Sequence, residues 1–136
     1  MENINKIWNF IESQTCRFLE YRKNKDYRAL IDIAYDIAGN IANLYLLLER
    51  NYFSSDKGKI LTTIEEMHKL GIFSADYGKI LKEKWKLRNL AKYGFFASSG
   101  IEEIDISEKD IEQIFDAVQN IFSEFSKYKE RYEKNR

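Results

Sequence analysis

A chain of 136 residues with no proline, 44% hydrophobic and 32% charged residues lies outside the disordered class and suits one all-helical domain. Its 22 basic residues balance 22 acidic ones, so no global field draws in nucleic acid, and any RNA contact has to come from a local patch. With one cysteine, Cys16, and one histidine, His68, an internal disulfide and a Cys-rich or multi-His metal site within one subunit are excluded.

The pattern predicts five helices in an antiparallel up-and-down bundle. The first spans about Glu2 to Lys23, with Ile4, Ile7, Trp8, Ile11, Phe18 and Leu19 in helical step. Asn24 or Asp26 can cap the second, about Lys25 to Arg50. That helix is apolar nearly all round, from Leu30 to Leu48, and reads as the central one. Ala34, Ile37, Ala38 and Ile41 are expected to be nearly inaccessible, and Gly39 with Ala38 and Ala42 permits a close backbone approach.

Asn51 to Ser55 forms a polar break, and Ser55 or Asp56 caps a third helix, about Lys57 to Leu70. Gly71 ends it as a left-handed C′ residue. Ser74 is the expected cap of a fourth helix, about Ala75 to Tyr93, which Gly94 stops. Residues 95–106 connect to a fifth, about Glu108 to Lys134, opened by a capping-box-like Ser107 and Asp110. Beyond Phe125 it turns polar, so residues 128–136 of the single 1–136 domain are expected to fray. No apolar run reaches about 18 residues, so no membrane span is expected. The opening Met1-Glu2-Asn3-Ile4-Asn5-Lys6 lacks a signal-peptide plan. A cytoplasmic protein with no membrane partner follows as the expectation.

The chemistry concentrates at the end of the fourth helix. Lys86-Leu87-Arg88-Asn89-Leu90-Ala91-Lys92-Tyr93-Gly94 places an arginine, an amide and a phenol within about 1.5 turns. The plain reading is a solvated arginine and a core tyrosine; the functional one is a site at a bundle mouth or subunit contact. Lys79, Lys82, Lys84, Lys86, Arg88 and Lys92 make this helix basic, either as a solvated face or as the one patch able to hold phosphate. Asp32 and Asp36, one turn apart on the apolar helix, need exposure at a rim or a partner such as Arg88. Asn40 and Asn43 suit interhelical hydrogen bonds. His68 has no nucleophile beside it and reads as structural, and Tyr128 and Tyr132 suit packing or a partner surface. There is no phosphate loop, metal cluster or nucleophile elbow, so neither metal nor cofactor is expected.

Three stretches together resemble the HEPN superfamily, small all-α proteins often encoded beside a minimal nucleotidyltransferase. Ala34 to Asn40, continuing through Leu46 to Glu49, resembles its central helix. Met67 to Ser74 resembles the turn between its middle helices, and Leu87 to Gly94 its defining motif of arginine, polar residue, spacer and histidine. The resemblance covers about residues 27–125. It implies a homodimer with the motifs facing each other. In active members the arginine takes the phosphate and the histidine the proton during RNA cleavage. Arg88 and Asn89 match the first two positions; Tyr93 stands at the histidine position, as in some branches of the family. A phenol with a pKa near 10 is a poor base at neutral pH. Phe95 stands where some members carry a tyrosine that the partner enzyme modifies.

The expectation is therefore a homodimeric module, within a toxin–antitoxin-like setting, that binds a nucleotidyltransferase or a nucleotide- or RNA-type ligand. Arg88, Asn89, Lys92 and Asp36 are its ligand-binding candidates. The alternatives are a metal-independent RNase with Arg88 and Tyr93 as catalytic residues, and a non-catalytic helical scaffold. Without a dimer, Trp8, Phe95 and Phe96 would lie exposed.

Overall fold

The computed structural model describes residues 2–50, 57–89 and 107–135, and every regular element among them is helical. The chain runs through α1 (Glu2–Lys23), α2 (Tyr27–Arg50), α3 (Lys57–Lys69), α4 (Tyr77–Glu83) and α5 (Glu108–Lys134). Residues 85–89 are helical as well, past a turn at Lys84. The result is an all-α bundle in which α1, α3 and α5 all pack against α2, and α4 bridges α3 and α5.

α2 is the core helix because it has no wide polar face to offer water. Ala34, Ile37, Ala38, Ile41 and Leu44 are all 0% exposed. By length and composition alone α2 could also cross a membrane, but 72% of its apolar window is buried inside the protein, as a core helix requires.

α1 reaches α2 through a three-residue turn. The Lys25 N–H bonds the Arg22 carbonyl at 3.1 Å and the Asp26 N–H bonds the Tyr21 carbonyl at 2.9 Å. This is a Schellman ending with lysine at the left-handed position, where Lys25 has φ +56°. Asp26 then caps α2, its Oδ1 accepting from the Ala29 N–H at 3.4 Å. The α3 ending has the same bond pattern with the expected glycine, Gly71, at φ +82°.

α1 runs antiparallel to both α2 and α5. Asn40 donates to Gln14 Oε1 at 2.8 Å between α2 and α1. Along α5 the contacts descend as α1 ascends: Trp8 stacks on Phe122 at 5.1 Å, Phe18 on Phe115 at 4.8 Å, and Arg22 pairs with Glu112 at 2.7 Å. Trp8 is thus partly buried within the monomer, which removes it as a reason for dimerisation. Leu19, one of the in-step positions, is instead 43% exposed. Phe95 and Phe96 lie outside the described residues.

The expected fraying beyond Phe125 does not occur: α5 is helical to Lys134. Its polar groups are used locally. The Tyr128 hydroxyl donates to Glu49, and that of Tyr132 to the Leu48 carbonyl at 2.8 Å. Lys129, 8% exposed, lies over the Trp8 ring and pairs with Glu133 at 2.5 Å. α4 sits close to α3 because residue 78 has no side chain. A Cβ on Gly78 would stand 2.8 Å from the Leu61 carbonyl oxygen and 2.9 Å from the Glu65 nitrogen.

Two stability measurements check this packing. Leu44→Ala is expected to cost about 2–5 kcal/mol in chemical denaturation, because the cavity opens in the middle of α2. Lys25→Gly is expected to stabilise by about 0.5–1 kcal/mol, relieving a left-handed Cβ strain that only glycine avoids; a loss of stability would contradict the turn geometry.

Candidate functional site

The helix carrying the basic run does not pass unbroken from Ala75 to Tyr93. It opens at Asp76 and not at the expected Ser74: Asp76 Oδ1 accepts from the Lys79 N–H at 3.1 Å. It closes at Glu83, with the Lys84 N–H on the Ile80 carbonyl at 3.1 Å. Residues 85–89 then resume as a helix, the Leu87 N–H bonding the Lys84 carbonyl at 3.0 Å. Neither glycine nor proline lies at the break. Tertiary contacts converge on it instead. The Tyr35 hydroxyl from α2 donates to the Leu81 carbonyl at 2.5 Å, taking the acceptor that a continuing helix would offer four residues on. Lys84 is drawn sideways to Asp110, at 2.5 Å, in the first turn of α5. The Lys84 ammonium and the Ser107 hydroxyl hold the Asp110 carboxyl below the usual carboxylate range.

Past the break stands a layered stack. The Trp85 ring meets the Tyr35 ring edge-on, with centroids 5.3 Å apart and an interplanar angle of 80°. The Arg88 guanidinium lies over Trp85, its Cζ 4.7 Å from the ring centroid. Arg88 Nη1 donates to Asn89 Oδ1 at 3.2 Å. Arg88 is only 6% exposed, so it is not the solvated arginine of the plain reading. A desolvated guanidinium over indole is worth about 2 kcal/mol. Burial also pushes the Tyr35 hydroxyl well above the ordinary phenol range, with the Arg88 charge opposing it.

Of the ligand-binding candidates, the structure brings Arg88 and Asn89 together. Tyr93 and Lys92 lie outside the described residues. Asp36 lies elsewhere: with Asp32, Phe10, Gln14, Arg17 and Tyr21 it lines a groove of about 250 Å³ between α1 and α2. The Asp32 Oδ1 atom is buried there with no hydrogen-bond partner.

The basic run is partly neutralised within the fold. Lys82 pairs with Glu65 and donates to Thr62 at 3.1 Å, and Lys84 pairs with Asp110; Lys79 and Lys86 are exposed. His68 is structural, donating from Nδ1 to the Phe73 carbonyl at 3.1 Å. Among the described residues no group of three His, Cys, Asp or Glu side chains could hold a metal.

A cluster with no signal in the sequence seats α4 on α5. Glu124 accepts from the Ser74 N–H at 2.7 Å and from the Tyr77 hydroxyl, which also lies 3.1 Å from Ser74 Oγ. Burial pushes the Glu124 carboxyl up, but the bonds from Tyr77 and Ser74 outweigh it and hold it below the usual range. Burial and the Glu124 bond together raise the Tyr77 hydroxyl. Glutamate is so often a surface residue that its spacing alone carries no signal.

No protein-family model, curated protein or solved structure matches this chain.

The Glu124 cluster gives a pH dependence of definite sign. A carboxyl whose pKa is lowered on folding stabilises above its unfolded value, about 4.3, and that contribution disappears as the pH falls through the folded value. Glu124→Gln is therefore expected to cost on the order of 1 kcal/mol near neutral pH. The gap between wild type and variant should close as urea melts are repeated from about pH 5 down towards pH 3. A constant gap would show that ionisation of Glu124 is irrelevant.

Proposed function

We propose that this chain is a HEPN-like homodimeric module that binds a nucleotidyltransferase partner or a nucleotide- or RNA-type ligand, in a toxin–antitoxin-like setting. Arg88 is the phosphate anchor and Asn89 the amide that orients it. The observation supporting this reading is the burial of Arg88, its guanidinium over the Trp85 face and bonded to the Asn89 amide, just past the basic α4. A guanidinium stays charged wherever it is placed, and its planar fork matches a phosphate in two bonds. Holding it against an indole face fixes the direction of that fork in advance. The exposed Lys79 and Lys86 nearby add long-range attraction for a polyanion.

Two other readings compete. An RNase using Arg88 and Tyr93 needs a base, and an unperturbed phenol is nearly all protonated near pH 7. A scaffold without a ligand is favoured by the same burial of Arg88 and by the pairing of Lys82 and Lys84 with carboxylates.

Arg88→Lys separates them. It keeps the charge but loses the planar fork, so binding to RNA, nucleotide or nucleotidyltransferase should weaken about tenfold with the fold retained. Tyr93→Phe should have a milder effect, and Tyr93→His should introduce RNA cleavage. Cleavage assays on structured and unstructured RNA, with Arg88→Ala in parallel, check this. Strong wild-type cleavage abolished in Arg88→Ala would establish the RNase instead, and no binding to any of the three would leave the scaffold. Sedimentation at micromolar concentration should show a dimer; a monomer alone would count against that part.

A further inference from the structure

We infer that Tyr35, on the core helix, is the positioning residue of the Arg88 corner: its hydroxyl holds the helical break at Lys84, and its ring edge sets the Trp85 face on which the guanidinium lies. The inference rests on the reading of Arg88 as an anion anchor.

Tyr35 is 2% exposed, and its hydroxyl reaches the Leu81 carbonyl at 2.5 Å. With residue 84 a turn, that carbonyl takes the hydroxyl in place of the Trp85 amide. A buried carbonyl left without a donor is unfavourable, so the hydroxyl is what makes the break tolerable at this point. Losing the break would let the Trp85 amide reclaim Leu81 and continue the helix. Residues 85–89 would then rotate about the axis, carrying the Trp85 ring and the Arg88 fork with them.

The second half of the lever is the ring. An indole plane defines where a guanidinium can stack, and the Trp85 plane is fixed edge-on by Tyr35 at 80°. Two other contacts act on this segment: the Lys84 pair with Asp110 pins the break from the α5 side, and the Gly78 contact holds α4 on α3. Neither touches the stack. Tyr35 touches both the break and the stack.

The test uses the full chain, isotopically labelled, well below its melting transition. Tyr35→Phe removes only the hydroxyl, and Trp85→Phe shrinks the face while leaving the hydroxyl bond. Folding is checked by circular dichroism. The Arg88 Nε–Hε resonance is identified by its loss in Arg88→Lys, and affinities are measured for a short oligouridylate and for ATP. Tyr35→Phe is expected to move the Arg88 resonance and to weaken binding of the probe about fivefold. A purely structural role would leave the affinity of the folded variant unchanged. Trp85→Phe should move the same resonance, so the role of the stack is read even if Tyr35→Phe does not fold. An Arg88 resonance and probe affinity unchanged in the folded variants would overturn the inference. If the wild type binds neither probe, the anion-anchor reading fails, and the Arg88 resonance alone decides the role of Tyr35.

Discussion

The burial of α2 constrains everything around it. A helix of 24 residues with isoleucine, leucine and alanine on nearly every side must be covered from several directions at once. α1 folds back on it through a tight turn, α5 runs beside it, and α3 closes a further side. The few polar groups on such a helix act over long sequence distances, because they must find partners on whatever covers them. Asn40 reaches Gln14 on α1, and Tyr35 reaches Leu81 on α4. The second of these bonds ties the core to the corner that carries Arg88.

Much of the architecture was legible in the sequence, for local reasons. The all-helical class and the central position of α2 follow from composition and periodicity. Ser107 caps α5, its Oγ accepting from the Asp110 N–H at 3.2 Å, although Asp110 turns to Lys84 and the serine hydroxyl instead of completing a capping box. Gly71 ends α3 because a left-handed C′ residue favours glycine. Elements whose causes are non-local were not legible. At the break near Lys84, the Leu81 carbonyl is taken by the hydroxyl of Tyr35, 46 positions earlier in the chain. Gly78 matters because of what α3 places against it, and nothing in its own neighbourhood announces that. The last turns of α5 look polar in isolation, yet their tyrosines end on α2.

The candidate site divides the same way. Arginine, amide and phenol were visible as residue types, and Arg88 and Asn89 do meet. Their setting was not visible, since Arg88 stacks on Trp85, and Trp85 meets the edge of Tyr35 from a distant helix. Asp36 draws a partner such as Arg88, or exposure at a rim, because a carboxylate on an apolar helix needs one of them. It lines a groove between α1 and α2 with Asp32. A charge on a helix reveals its heptad position but not its neighbours.

The Arg88 fork is stacked on Trp85, bonded to Asn89 and largely removed from water. On the function proposed above, that ordering lowers the cost of binding a phosphate. The most direct measurement is a titration of the labelled protein with a short single-stranded RNA, following the arginine Nε–Hε resonances. A saturable shift of the Arg88 resonance is expected, with the same dissociation constant as binding measured by fluorescence. An Arg88 resonance that stays in place, while shifts gather only around Lys79 and Lys86, would contradict it.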